Sequence, residues 1–488
     1  MFQKLIAMIR QVIDKMLSKT TIREAIDTDI EISDEMSDAI DLWHKMYLDK
    51  APWVAGSNGK VKSLNLPSAI ASELARLATI EMASEITKAT ENTSEGESEG
   101  AEGYEDINEF YQDQVIDRLK VPVTYAAAMG GMIFKPYILD GEIVVDYIQA
   151  TNFIPVSFSN NGEITSCIFP EKRTIGDDVY TKLEHHTISG KKYTITNTLY
   201  VAKKDSGSLG KQVDLDVIEE WANLASEATF TFKDKARPLF SYFKMPLANT
   251  IDTESHLGVS VYADAADLIE QADKQYSRTL WEYEAGEMAI EAGIDMFKTD
   301  MTLPENNERL YRKYDTDIQE GRPFYEVFNP NLRDDSLWSG LDKILRRVEF
   351  SCGLAYGTLS DTQVVSKTAE EIKASKQRSY STVADIQKNL ESALEQLVWA
   401  MLAWRVLQDA IDGSTRNEQG NIVSSLAEIQ VPDDYEISFE WDDSLIVDSK
   451  TEQGIMMSEV AASIISPEYY LKKRYGATEE QIKEMMGV

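Results

Sequence analysis

The stretch "KTAEEIKASKQRSYSTVADIQKNLESALEQLVWAMLAWRVLQDAI", from Lys367 to Ile411, contains neither glycine nor proline. Those residues interrupt helices most strongly, through backbone entropy and a missing N–H respectively. Val383, Ile386, Leu390, Leu394, Leu397, Met401, Trp404, Leu407 and Ile411 recur at steps of three and four, which puts them on one side of a helix. At about 1.5 Å per residue such a rod spans about 68 Å, longer than most single domains are wide. Ser366 or Thr368 suits its cap, Glu370 and Glu371 its first turn, and Asp412–Gly413 its stop. Tyr380, Trp399 and Trp404 give it aromatic surface to bury against more than one neighbour. The chain has 488 residues, beyond the size at which one core usually keeps growing, so several structural regions are expected along the rod.

Those regions differ in period. Apolar spacing predicts an N-terminal helix over "MFQKLIAMIRQVIDKML", then helices over Ser33–Leu48, Pro67–Ala89 and Gly103–Leu119. The acidic, glycine-rich run "ENTSEGESEGAEGYED" has no apolar face and reads as an exposed loop. From about Val121 to Phe243 the pattern turns to short strands, with hairpin connections at Asp140–Glu142, Asn160–Glu163 and Ser189–Lys192, so a mostly antiparallel region is expected. Helix resumes over about Val259–Glu287 and again from Ser336 to Leu354, with a compact insertion of short strands between. "YEISFEW" then reads as a strand, followed by helices at "EYYLKKRYG" and after the box "TEEQ".

The chemistry-bearing residues form no reaction centre. His44, His185, His186 and His256 make no metal-binding spacing, and the adjacent pair in a strand points to opposite faces. "GSNGKVKS" lacks the spacing of a phosphate loop, and Ser255–His256 has no third orienting group in register. Cys167 and Cys352 supply no disulfide framework. Lys and Arg total 49 against 83 acids, a formal charge of −34, which argues against gripping nucleic acid through many neutralised phosphates. It allows a protein that surrounds a duplex without sticking to it. No enzyme activity and no cofactor are expected, and the N-terminus reads as a docked helix without a membrane span.

The order of parts, with "SCGLAYGTLSD" (Ser351–Asp361), "KTAEEIKASKQRSYSTVADIQKNLESAL" (Lys367–Leu394) and "WDDSLIVDS" (Trp441–Ser449), resembles a tailed-phage portal protein. The portals it is most similar to are those of long-tailed phages of Gram-positive bacteria, over about Ser33 to Tyr475. The resemblance implies an α+β portal fold with an antiparallel-sheet wing, α-helical stem, small α/β clip and helical crown. The corresponding ranges are a wing over 1–250, a first stem helix over 251–290, a clip over 291–333 and a second stem helix over 334–355. A tunnel-loop region over 356–366, a long wing and crown-side helix over 367–430, and a C-terminal wing strand with crown helices over 431–488 complete them.

The same resemblance implies a virion ring of about twelve identical subunits at the single portal vertex of the capsid, assembled in the host cytoplasm. Double-stranded DNA would pass through it in packaging and ejection, without sequence-specific binding. Its protein partners would be the terminase large subunit, a head-completion or adaptor protein making the head-tail connector, and the major capsid and scaffold proteins. Gly357, Asp361, Gln363 and Lys367 are the channel candidates. Glu370, Glu371, Arg378, Arg346 and Arg347 are the subunit-interface candidates, and acids of 291–333 suit docking. A non-portal head-completion or other structural ring protein of a phage particle is the alternative; a DNA-processing enzyme and a helical scaffold fit the residues less well.

Overall fold

The computed structural model describes residues 30–80, 82–89, 104–139, 141–204, 206, 208–293, 311–314, 325–361, 369–412, 428–441 and scattered positions between 456 and 471. In chain order the main α-helices are α1 (Asp34–Tyr47), α2 (Leu66–Thr79), α3 (Glu105–Phe110), α4 (Lys120–Met129), α5 (Ala266–Ala285), α6 (Asp334–Ser351) and α7 (Ala369–Asp412). The strands are β1 (Met82–Lys88), β2 (Gly131–Leu139), β3 (Glu142–Gln149), β4 (Ile154–Phe158), β5 (Ile164–Ile175), β6 (Asp178–Ser189) and β7 (Lys192–Lys203). They continue with β8 (Lys211–Val213), β9 (Glu227–Thr231), β10 (Ser241–Lys244), β11 (Ala289–Gly293), β12 (Tyr311–Tyr314), β13 (Tyr325–Phe328) and β14 (Tyr435–Trp441). The protein is thus α+β with largely antiparallel sheets. Among the described residues no helix is long and apolar enough to cross a membrane.

Helix α7 runs unbroken through the region where the sequence allows no interruption. Val383, Ile386, Leu390, Leu394, Leu397 and Met401 are buried in the largest core, with residues of α1, α2, α4, β2 and β10. Further along, Ala403 and Leu407 enter a second core with Tyr193, Ile195, Phe230 and Phe232. A helix that serves two cores must be long, and where it crosses between them Leu397, Val398, Ala400, Met401, Leu402 and Ala403 are all buried. Side chains of α7 also bond to neighbouring backbone: Asn389 to the Lys244 carbonyl (3.0 Å) and Gln396 to that of Pro238 (2.7 Å). Of the three aromatics expected to be buried, Trp399 and Trp404 are half-buried, whereas Tyr380 is exposed because it lies before the first core contact.

The three hairpin connections are found as expected, joining β2 to β3, β4 to β5 and β6 to β7. Strands β4 to β8 form one antiparallel sheet in sequence order, with β9 also paired to β7. Strands β10, β2 and β3 form a second sheet. One buried polar chain ties these two sheets together. The Leu239 amide donates to the Tyr193 hydroxyl (3.2 Å), Tyr193 pairs with His186 Nδ1 (2.7 Å), and His186 Nε2 pairs with Glu184 (2.7 Å). Lys135 of β2 completes it with an ion pair to Glu184, and Lys182 Nζ lies 3.7 Å from the same carboxylate. Burial lowers the His186 pKa, so the neutral ring donates from Nε2 and accepts at Nδ1. Burial pushes Glu184 upward, but Lys135, His186 and Lys182 together hold it well below the usual carboxylate range. His186 is therefore a satisfied core residue; its neighbour His185 bonds to Ser166 (2.7 Å).

Three boundaries differ from the sequence reading. The helix expected over Pro67–Ala89 stops at Thr79, and Met82–Lys88 is strand β1, paired antiparallel with β14 from Met82↔Trp441 to Lys88↔Tyr435. "MASEITK" has helix-forming residues, but burial alternates, with Ser84 and Ile86 inside. A partner more than 300 residues away decides the matter, and local propensity does not register it. The strand region expected from Val121 begins with helix α4 instead, whose run Ala126, Ala127 and Ala128 is buried. Helix α5 starts at Ala266, after a short 3-10 turn, and not near Val259. Val259, Ser260, Val261 and Tyr262 are buried in a non-helical crossing over the end of α4, where the Val261 amide bonds to the Ala127 carbonyl (3.0 Å). The N-terminal helix, the acidic run up to residue 103 and the helix after "TEEQ" lie outside the described residues.

Candidate functional site

Helices α5 and α6 pack antiparallel. Gln275 donates to the Leu337 carbonyl (3.2 Å), the Tyr276 and Trp338 rings meet at 6.3 Å, and Trp338 Nε1 donates to Tyr283 (2.9 Å). At one end of the pair Arg333 grips Glu282 through two nitrogens, at 3.0 and 2.7 Å, which lowers the Glu282 pKa. Along α5, Asp273 is buried and accepts from Trp53 Nε1 and the Leu64 amide, both at 2.8 Å, so the segment before α2 is fixed to this helix. Between the two helices come β12, β11 and β13, a small sheet in that order with β11 parallel to β12 and antiparallel to β13. A helix, a small sheet and a second helix are what the sequence pattern anticipates.

At its other end α6 stops and feeds a tight loop. Cys352 caps the helix and Gly353 follows in the left-handed region at φ +71°. The Gly353 amide bonds to the Phe350 carbonyl (3.4 Å) and the Leu354 amide to that of Glu349 (2.9 Å), the two bonds of a Schellman motif. A Cβ at Gly353 would lie 2.4 Å from Thr382 Oγ1 of α7. Gly353→Ala therefore carries both left-handed strain and a clash with a β-branched side chain; we expect a loss of about 2 kcal/mol in stability. Denaturant unfolding checks it, and adding Thr382→Ala should return part of the loss.

The loop from Gly353 to Asp361 folds back along α6. Glu349 is fully buried, and its Oε1 accepts from the amides of Gly357 (3.0 Å), Leu359 (2.6 Å) and Ser360 (2.8 Å). Its Oε2 accepts from the Ser360 hydroxyl (2.9 Å). Two turns earlier on the same face, Asp342 accepts from the Asp361 amide (2.8 Å) and pairs with Arg346 (2.7 Å). Tyr356, Thr358 and Asp361 remain exposed. Gly357, with φ +91°, and Asp361 thus share one loop.

The other candidates separate. Arg346 is engaged within its own chain by Asp342, whereas Arg347 is exposed with no ion-pair partner among the described residues. Arg378 is exposed and stacks its guanidinium 3.8 Å above the Phe350 ring, with Nη1 3.4 Å from the Phe350 carbonyl. Gln363 and Lys367 lie outside the described residues. Glu370 and Glu371 are in the first turn of α7. Glu349 escaped the sequence reading. Its signal was a carboxylate in the last turn of a helix, where the macrodipole disfavours it, one turn before a glycine-rich loop.

A cleft of about 250 Å³ lies where α6 meets α7, lined by Leu247, Val261, Cys352, Arg378, Thr382 and Ile386 among others. Burial pushes the Cys352 thiol up to about 12, so it is no nucleophile at neutral pH. Among the described residues no group of three or more His, Cys, Asp or Glu could hold a metal ion. The arrangement can present a shaped loop at the end of a helix pair.

No curated protein matches the chain. Residues 63–486 match the family described as phage portal protein, SPP1 Gp6-like, a span that takes in both helices of the pair, the loop and all of α7. The chain belongs to that family of phage portal proteins.

Proposed function

We propose that the protein forms a closed ring of about twelve subunits at one capsid vertex, through which double-stranded DNA enters and later leaves. Membership of the portal family supports the general part of this reading, a virion component that acts as a channel in DNA packaging. The observation that carries it is the match over residues 63–486. In this reading α5 and α6 are stem helices, β11–β13 the clip, residues 353–361 the channel-side loop, and the C-terminal segment the crown. The wing comprises the other sheets and the body of α7. Gly357, Asp361, Gln363 and Lys367 face the duplex, while Glu370, Glu371, Arg347 and Arg378 meet the next subunit. The terminase large subunit and a head-completion or adaptor protein dock on the ring, the capsid and scaffold proteins surround it, and the phage is a long-tailed one of a Gram-positive host.

Charge favours passage over capture. With a formal −34 per subunit the ring repels phosphates at short range, so the duplex meets no deep binding minimum. Local cations soften this: from Ser336 to Phe350, Lys343 and Arg347 are exposed, while Asp342 is paired and Glu349 is buried. Native mass measurement and electron microscopy of the purified protein test the reading. A closed oligomer of about twelve copies with a central hole is expected; a stable monomer under packaging conditions would overturn it. Tight duplex retention at moderate salt would overturn the account of passage.

A further inference from the structure

Glu349 makes an unusual set of contacts for one residue. Its backbone carbonyl receives the Leu354 amide, and its carboxylate receives three more amides and a hydroxyl from Gly357, Leu359 and Ser360. A buried carboxylate needs such donors, because no solvent reaches it. The dependence is mutual: the three loop amides point inward and have no strand or helix to pair with. Hydrogen bonds to an ionised acceptor are roughly twice as strong as neutral ones, and here four converge on one group. Asp342 holds the far end of the loop through the Asp361 amide, in register with Glu349 on the same face of α6.

We propose that Glu349 is the positioning residue of the 353–361 loop, latching residues 354–360 to α6 so that the loop's position follows that helix. The loop is then an extension of the helix and not an independent flap. Its exposed residues Tyr356, Thr358 and Asp361 are aimed by the latch, since they alternate with the residues it holds. Anything that displaces the loop must either move α6 or break the carboxylate free. The importance of this for DNA passage rests on the channel reading above; the latch itself does not.

Residue-resolved amide hydrogen exchange on the full-length assembled protein tests the latch, with Glu349→Ala and Glu349→Gln beside the unaltered chain. In the unaltered protein the Gly357, Leu359 and Ser360 amides should exchange slowly. Glu349→Ala should speed them by about 100-fold, and Glu349→Gln, which keeps one carbonyl oxygen but loses the charge, by about 10-fold. Amides of α5 and of the first half of α6 should stay as they were, which a general loss of structure would not allow. Unchanged exchange at the three loop amides in Glu349→Ala overturns the proposal. If that variant does not fold, Glu349→Gln decides by the same criterion. DNA packaging by the same variants separates the two readings: faster loop exchange with undiminished packaging supports the latch and counts against the channel role of the loop.

Discussion

Lys135→Met should lower the unfolding free energy by about 3 kcal/mol, more than other single surface or sheet changes in this protein. The methionine fills much the same volume, so the loss is electrostatic. Glu184 stays largely shielded from solvent with His186 Nε2–H as its main remaining partner, and Lys182 Nζ at 3.7 Å is too far for a good hydrogen bond. Glu184 is held below its ordinary range, so its contribution to stability is present above the unfolded carboxylate pKa and disappears as pH falls through the depressed folded value. Without Lys135 the carboxylate binds a proton more readily, so the deficit should be largest at neutral pH and shrink in acid. Both proteins share a second loss beginning below about pH 6.5, because buried His186 has a lowered pKa and the unfolded chain takes up its proton first. Denaturant midpoints at several pH values check both statements. A Lys135→Met loss that stayed constant down to acid pH would mean that packing, not the ion pair, holds the sheets together. Adding Glu184→Gln should recover part of the stability at neutral pH, since an amide leaves no buried charge unpaired.

This network shows what could and could not be read from the residues. Adjacent histidines in a strand point to opposite faces, and the structure agrees: His185 meets Ser166 while His186 meets Tyr193 and Glu184. That Lys135, some fifty residues earlier, would supply the counter-charge was invisible, because it depends on two sheets meeting. The same division runs through the molecule. The length of α7, the three hairpins and the helix–insertion–helix order follow from local periodicity and turn chemistry. β1 failed because its sequence suits a helix and only the distant β14 makes it a strand. Among the candidate site residues, Gly357 and Asp361 sit in the loop their glycine-rich surroundings suggested. The group that shapes that loop, Glu349, was one carboxylate among many. Only its burial and its four donors distinguish it.

The second large effect is expected where two backbones cross. Gly130 ends α4 at φ +87°, and a Cβ there would lie 2.4 Å from the Gly258 oxygen, 2.6 Å from its carbonyl carbon and 2.8 Å from that of Val259. All three atoms are main chain, so no rotamer change relieves the clash. The crossing cannot simply widen, because the Met245 amide bonds to the Gly130 carbonyl (3.0 Å) and the Val261 amide to that of Ala127 (3.0 Å). Gly130→Ala should therefore cost about 3 kcal/mol or more, combining left-handed strain with overpacking. Gly258→Ala isolates the second part: its Cβ would meet the Gly130 oxygen at 2.0 Å, without the positive φ. Gly176→Ala isolates the first, since φ is +62° there and nothing lies within 4 Å, and it should cost only about 1 kcal/mol. Unfolding midpoints of the three variants measure the terms separately. Equal, small losses in all three would show that the crossing is loosely packed. The expected order, Gly130 worst and Gly176 mildest, would show that the chain leading into α5 is fixed against the end of α4, so that the helix pair and the sheet-bearing body move as one.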